Sequence, residues 1–322
     1  MKRAEVSLVV GDQGQDGHYL SALLRARGNH VIGLGRTRAV SSRLGDLGAA
    51  DVRDRVRVGR LLADLQPGEI YYLAGVFGSS ESAAEDCCQE FQRCSDVHID
   101  GWLNFLDAVE RQQLGARLFY AASSRVFGHP SSAPQNELTP HAPLCMYGIT
   151  KSAGMRLCNF YRGRGIHCSS GILYNHESPR RPESFVSRKI VKAAVDIKLG
   201  SKKTLTVGNL SAAVDWGAAQ DYVDAMARIL RLEQAGDFVI SSDRLHTVRQ
   251  FVETAFTAVD LAWEQHVVED HTLLKALPSS QALVGDSRRL REATGWRPRF
   301  AFEDMVRHMV DAELKSRQAA SA

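Results

Sequence analysis

No stretch of these 322 residues approaches the roughly 20 consecutive apolar positions that cross a bilayer, so the sequence offers no membrane-spanning helix. An excess of one charge is also missing, because 40 Lys and Arg stand against 37 Asp and Glu for a net charge of +3. No overall field draws such a chain to nucleic acid or an anionic membrane, and small molecules are the expected partners. Its six cysteines (Cys87, Cys88, Cys94, Cys145, Cys158 and Cys168) are too irregularly spaced for a disulfide framework. Cys87, Cys88, Cys94 and His98 lack the paired CxxC knuckles of a zinc site, so no metal is expected. Fixed-period repeats and low-complexity tracts are absent apart from a short tail, RQAASA. The opening MKRAEVSLVVG pairs basic residues with an apolar run far too short for a secretory signal core, and a cytoplasmic location is the expectation.

What is present buries a substantial core, since 44% of the residues are hydrophobic. The run EVSLVV (5–10) ends at Gly11, and 18–27 carry apolar positions at helical spacing. Further short apolar runs at 30–34, 69–73, 117–122 and 166–173 are separated by lengths that suit crossover helices. This alternation predicts an α/β fold of Rossmann type with a doubly wound parallel sheet, formed mainly by residues 1–175. Beyond about 175 the alternation weakens. Proline and arginine cluster at 179–182, helical patterns cover 184–199 and 218–232, and a strand TLTV lies at 204–207. Residues 176–322 are expected to form mainly a smaller α/β substrate lobe, with later segments free to return to the first domain.

The turn after the first strand reads Gly11-Asp12-Gln13-Gly14-Gln15-Asp16-Gly17. Glycines there allow a tight turn and close approach of backbone to a pyrophosphate at the helix N-terminus, so Gly11, Gly14, Gln15, Asp16 and Gly17 are read as the cradle of an NAD(P) cofactor. The acid expected at the end of the second strand is missing, and Gly35-Arg36-Thr37-Arg38 stands in its place. A guanidinium at Arg36 pairs with a 2′-phosphate, which favours NADP over NAD. Asp51 and Val52, after a third strand, are placed at the adenine, and Leu73, Ala74 and Gly75 flank the inner ribose. Tyr147 and Lys151 stand four apart and share a helix face. An ammonium and the cofactor's positive ring beside the phenol lower its pKa, so that it takes a hydroxyl proton near neutral pH, and Tyr147 and Lys151 are read as cofactor-binding as well as catalytic. With Ser123 and Ser124 upstream, this pattern marks the short-chain dehydrogenases/reductases.

Within that superfamily the chain resembles the GDP-mannose 4,6-dehydratases. The resemblance runs through GQDGHYL (14–20), GILYNHESPRRPESFVSRKI (171–190), VGNLSAAVDWGAAQDYVDAM (207–226), DFVISSDRLHTVRQFVETAF (237–256) and LVGDSRRLREATGWRPRF (283–300). It implies a GDP-hexose substrate, an NADP cofactor, a homo-oligomer, and catalytic roles for Ser123, Tyr147 and Lys151. It also implies a nucleotide-sugar clamp formed by Asn175, Glu183, Val186 and Lys189, with Asn209 and Arg249 beside it.

Three departures qualify the resemblance. The dehydratases carry a glutamate as acid and base where this chain reads Ser123-Ser124-Arg125, and an arginine keeps its proton up to a pH of about 12. Val214 and Leu277 replace arginines that contact the diphosphate in that family, and Arg180, Arg181, Arg188 or Arg249 would have to compensate. The expected chemistry is therefore oxidation and re-reduction of a sugar carbon without dehydration, giving an epimer or a ring-form isomer of GDP-galactose mutase type. Arg125 would steady a developing alkoxide or the ring oxygen, or else merely pair with Glu137. Three other readings compete: a 4,6-dehydratase with its base relocated to Glu81, Glu85 or His129, an NADPH-dependent keto-sugar reductase, and a ligand-binding regulator without catalysis. His176 is read as a hydrogen-bonded structural histidine, and Trp216 and Tyr222 as packing residues. Arg53, Arg55, Arg57 and Arg60 are read as a solvated loop or subunit contact.

Overall fold

The apolar run that ends at Gly11 forms β1 (Val6–Val10), in which all but Val6 are buried. Burial on both faces is what a central parallel strand requires, and it explains why the sequence there does not alternate. The computed structural model of the protein describes residues 6–35, 41–42, 45–46, 51–76, 86–273 and 283–321. After β1 come α1 (Gln15–Ala26), β2 (His30–Leu34), the two-residue strands β3 (Ser41–Ser42) and β4 (Gly45–Asp46), α2 (Arg55–Leu65) and β5 (Glu69–Tyr72). A continuous helical stretch follows, α3 (Cys87–Ser95) and α4 (Trp102–Arg111) joined by a π turn at Asp96–Gly101, and then β6 (Arg117–Ala121), α5 (Met146–Arg162) and β7 (Cys168–Leu173). The remainder is β8 (Asn175–Glu177), α6 (Val186–Lys198), β9 (Leu205–Val207), β10 (Ala213–Ala218), α7 (Ala219–Ile229), β11 (Asp237–Ile240), β12 (Leu245–Thr247), α8 (Val248–Thr257), β13 (Val267–Glu269), α9 (Arg288–Thr294) and α10 (Phe302–Ser321).

Six strands form one parallel sheet in the order β11-β7-β6-β5-β1-β2. The chain winds outward from β1 to β2 and then returns to the other side of β1 at β5, so the order reverses between β1 and β5. A crevice at their carboxyl ends is where such sheets take ligands. The strand expected ahead of Asp51 falls on residues 47–50, outside the described residues. Asp54 caps α2 by accepting from the Arg57 amide at 3.0 Å, so Arg55, Arg57 and Arg60 stand on a helix and not on the expected loop. The reason is the cap: an aspartate that satisfies a first-turn N–H starts a helix wherever an apolar stripe follows, here Val58, Leu61, Leu62 and Leu65.

Two hydrophobic cores result. The first lies around the large sheet, and α7 and β11 belong to it through Tyr222, Val223, Ile229, Phe238 and Val239. The second packs α6, α8 and α10 against β10, the centre of a small sheet ordered β12-β10-β8. Trp216 is its hub, with ring centroids 5.1 Å from Phe251 and 6.1 Å from Phe302. β8 leaves the end of β7 and pairs with β10, so it carries the chain from one core to the other. Among the described residues no helix is long and apolar enough to cross a membrane.

Candidate active site

The glycine turn sits at the sheet's switch point. The Gly11 amide donates to the Leu34 carbonyl at 2.7 Å and the Leu73 amide to the Val10 carbonyl at 2.9 Å, which draws the ends of β2 and β5 against the turn. Gly11 has φ +90°, and a Cβ there would lie 3.0 Å from the Ala74 nitrogen. A Cβ on Gly17 would overlap the Gly11 carbonyl oxygen. Only glycine fits these two positions, one for its backbone angle and both for space. Gly14 caps α1 without a side-chain hydrogen bond, which leaves first-turn N–H donors for an anion at the helix N-terminus. Gly14 and Gly17 thus pack on Gly11, and Leu73 and Ala74 lie against the same turn.

Other residues assigned to that cradle are engaged elsewhere. The Gln15 amide donates to the His176 carbonyl at 3.0 Å and its oxygen accepts from the Ser178 hydroxyl at 2.7 Å. Both Asp16 carboxylate oxygens lie 2.9 Å from His176 Nε2. The side chains of Gln15 and Asp16 therefore tie α1 to β8 and the residue after it. The Asp51 carboxylate is held by Arg53, with Nη2 at 2.6 Å, and that hydrogen bond draws its pKa down. The Val52 carbonyl accepts from Asn104 at 2.9 Å. Arg36 lies outside the described residues.

The residues read as catalytic from the sequence come together at the carboxyl end of β6. Lys151 is 2% exposed, donates from Nζ to the Ala121 carbonyl at 2.8 Å, and stands 5.7 Å from the centroid of the Tyr147 ring. Burial pushes its ammonium down to about 7. Burial pushes the Tyr147 phenol up to about 12, against the opposing pull of a hydrogen bond from Ser123 and of the Arg181 charge. Ser123 precedes a 3-10 turn and its Oγ accepts from the Arg125 amide at 3.3 Å. A Cβ on Gly148 would lie 2.6 Å from the Arg125 carbonyl oxygen, so the turn and the start of α5 touch and set Ser123 against Tyr147.

Arg125 itself is exposed, and no ion pair holds its side chain among the described residues. The pairing with Glu137 is not found: Glu137 is turned to the Val239 amide at 2.8 Å, and burial raises its pKa. Of the relocated bases considered, Glu81 and Glu85 lie outside the described residues, and His129 is exposed just past the 3-10 turn. Cys87 and Cys88 are exposed on α3, while Cys94 is buried with Sγ 3.7 Å from the Val76 carbonyl.

The substrate residues taken from the resemblance divide. Asn175 is exposed at the start of β8, directly beyond the sheet end, and Val186 and Lys189 are half-buried at the start of α6. Glu183 is exposed and pairs with Lys192 at 2.6 Å. Asn209 accepts from the Ser211 amide at 2.8 Å, and Arg249, whose own amide donates to the Leu210 carbonyl at 2.9 Å, lies over the Trp263 ring at 5.2 Å. Those two form one edge of the second core. Arg188 pairs through Nη2 with Glu313 of α10. Leu277 is outside the described residues.

Arg181, named in the sequence only as a replacement phosphate contact, and His98, set aside there as a metal ligand, both stand beside Tyr147. Arg181 pairs with Glu177 at 3.2 Å, lies 3.7 Å over the Phe185 ring, and brings its charge to Tyr147 and Asp16. His98 is wholly buried between Val76 and Thr150. No spacing signal marks His98, because its partners are 22 and 52 residues away.

A glycine turn at the switch point of a parallel sheet, with serine, tyrosine and lysine at the end of the neighbouring strand, defines an extended short-chain dehydrogenase/reductase. Residues 8–309 match the family described as GDP-mannose 4,6 dehydratase. GDP-mannose 4,6 dehydratase 1 of Arabidopsis thaliana is 34% identical over 336 residues, covering 98% of this chain and 91% of the relative. The chain belongs to the GDP-mannose 4,6-dehydratase family. Among solved structures, RMD from Pseudomonas aeruginosa complexed with NADPH shares the fold at a TM-score of 0.82 and 21% identity, over 97% of this chain and 98% of that one. The UDP-glucose 4-epimerase of Thermus thermophilus in complex with NAD does so at 0.78 and 22%, over 96% and 98%.

Proposed function

We propose that this protein is an NAD(P)-dependent isomerase of a nucleotide-activated hexose, acting on a GDP-hexose by transient oxidation and re-reduction of one sugar carbon. The observation that carries it is the pairing of an intact Ser123, Tyr147 and Lys151 with an exposed arginine at 125, where elimination needs an acid and base. Membership in a family of GDP-mannose dehydratases supports the GDP-hexose. The open cradle of Gly11, Gly14 and Gly17 at the N-terminus of α1 fits a dinucleotide, and relatives of this fold bind NADPH or NAD. Arg36 favours NADP, and a homo-oligomer is proposed from the family alone.

When bound, the nicotinamide supplies an acceptor for hydride and returns it later. Everything else falls to the side chains. The Tyr147 phenol, high in pKa on its own, needs neighbouring positive charge to become a base, and Lys151 and Arg181 are placed to provide it. The phenolate takes the proton of the sugar hydroxyl, Ser123 orients that oxygen, and the proton is given back from the same phenol when the ketone is reduced. The substrate loses a hydride and a proton and regains both, so coenzyme is not consumed. Removing a C5 proton and expelling the C6 hydroxyl would require a carboxylate near C5, and the Arg125 guanidinium holds its proton throughout.

Incubation with GDP-mannose and with GDP-galactose, followed by NMR of the products, tests this. An isomeric GDP-hexose is expected with no change at the reduced-nicotinamide absorbance band. A 4-keto-6-deoxy product would refute the isomerase and establish the second reading, a dehydratase with its base elsewhere, which family membership favours.

A further inference from the structure

Buried histidines that neither bind metal nor meet a carboxylate usually satisfy backbone groups, and His98 does so at a particular place. It lies on the π turn between α3 and α4 and is 0% exposed. The Val76 amide donates to its Nε2 at 3.0 Å, which requires that nitrogen to be bare. Nδ1 then carries the hydrogen and donates to Thr150 Oγ1 at 2.8 Å. The Thr150 hydroxyl in turn donates back to the Met146 and Tyr147 carbonyls at 3.0 and 3.1 Å. The single Thr150 hydroxyl hydrogen is shared between those two carbonyls, and one imidazole tautomer satisfies the whole set.

We infer that His98 is a positioning residue, whose neutral imidazole clamps the segment Leu73–Val76 to the catalytic helix at the residue between Tyr147 and Lys151. The surroundings of His98 support this further. The His98 ring meets the Tyr147 ring edge-on at 5.2 Å and 88°. The His98 carbonyl accepts from the Tyr120 hydroxyl at 3.1 Å, and Lys151 Nζ lies 5.0 Å from the same Tyr120 ring. A Cβ built on Gly75 would be 3.6 Å from both His98 Nε2 and Lys151 Nζ, so histidine and lysine flank one stretch of backbone. Burial, with the Lys151 charge adding to it, pulls His98 down to about 2, and the imidazole stays neutral at any working pH. The π turn matters because one extra residue per turn rotates His98 away from the regular helix face.

The inference rests on the reading that Leu73–Gly75 borders the dinucleotide, so the test begins with coenzyme alone. Fluorescence titration with NADPH and with NADH is carried out on the full chain and on the variants His98→Phe, His98→Gln and Thr150→Val, and steady-state turnover is followed with whichever GDP-hexose the parent accepts. His98→Phe keeps the ring but cannot accept or donate, and coenzyme affinity and kcat should each fall tenfold or more, the order of loss that a displaced reacting group brings. His98→Gln, which offers a carbonyl to Val76 and an amide to Thr150, should recover most of both. Thr150→Val removes the link from His98 to α5 together with the hydroxyl's bonds to the Met146 and Tyr147 carbonyls, leaves the bond to Val76, and should lower kcat while leaving coenzyme affinity within about twofold, a split that a purely structural contact would not produce. Coenzyme affinity and turnover within twofold of the parent in folded His98→Phe would overturn the clamp. If that variant does not fold, unchanged kcat in Thr150→Val overturns it instead. Where no GDP-hexose is turned over, recovery of coenzyme affinity by His98→Gln decides, and its failure counts against the clamp. Failure of the parent itself to bind either coenzyme would sink the proposed function and not the clamp alone.

Discussion

Lys151 and Tyr147 illustrate how little of a residue's chemistry is in its name. Burial moves the lysine down to about 7 and the tyrosine up to about 12, so in the unliganded protein the phenol keeps its proton. Tyr147→Phe should lower turnover by about 10²–10⁴-fold, far more than it weakens NADPH binding in a fluorescence titration, because the phenol's main service is to the proton. Arg125→Glu makes the sharper demand. If the proposed isomerisation holds, a carboxylate two residues after Ser123 should add some 4-keto-6-deoxy sugar to the products, seen by NMR as a new methyl doublet. At Gly17 a methyl group would overlap the Gly11 carbonyl, so Gly17→Ala should weaken coenzyme binding at least tenfold in the same titration.

At the scale of elements, the join between α1 and β8 is held by an ion pair with a pH signature. His176 is clamped between the Tyr174 carbonyl at Nδ1, 2.7 Å away, and the Asp16 carboxylate at Nε2, so both nitrogens face acceptors and the imidazolium fits best. Burial opposes that charge, and the Asp16 carboxylate outweighs it and raises the His176 pKa above 6.5. For Asp16, burial is likewise outweighed by His176, and its pKa falls below 3.8. A histidine raised on folding adds stability that is complete below pH 6.5 and is lost as pH rises through the folded value. An aspartate lowered on folding adds stability that is complete above pH 3.8 and is lost as pH falls through the folded value. His176→Phe, which keeps the stacking on Tyr222 now at 4.6 Å, should therefore lose the decline of stability above pH 6.5 relative to the parent. Urea midpoints measured from pH 5 to 9 check the slope.

Across the whole molecule the two cores divide the labour, the first holding the glycine turn and catalytic helix, the second carrying the edge with Asn209 and Arg249. Phe251 is fully buried against Trp216 and Phe302, and Phe251→Ala should cost about 3–5 kcal/mol, read from chemical denaturation. The sheet is legible in the sequence because buried parallel strands are apolar throughout: the runs at 30–34 and 117–122 form β2 and β6 with ends shifted by at most one residue. The short strands β8 and β12 are not legible, since three residues carry no period and their partners lie far along the chain. The α2 arginines read as a loop from their charge spacing alone, and the aspartate cap that makes them helical outweighs that spacing.

By itself the sequence determined the parallel sheet, the glycine turn, and the tyrosine and lysine on one helix face, for these depend on spacing between neighbours and local sterics. Only the tertiary structure decided that Gln15 and Asp16 turn to β8, that Glu137 turns to Val239 and leaves Arg125 unpaired by it, and that His98 bridges Val76 and Thr150. Each of these is a contact between residues dozens to more than a hundred positions apart. Which side chain a polar group meets is set by how the elements pack, and no local period records it.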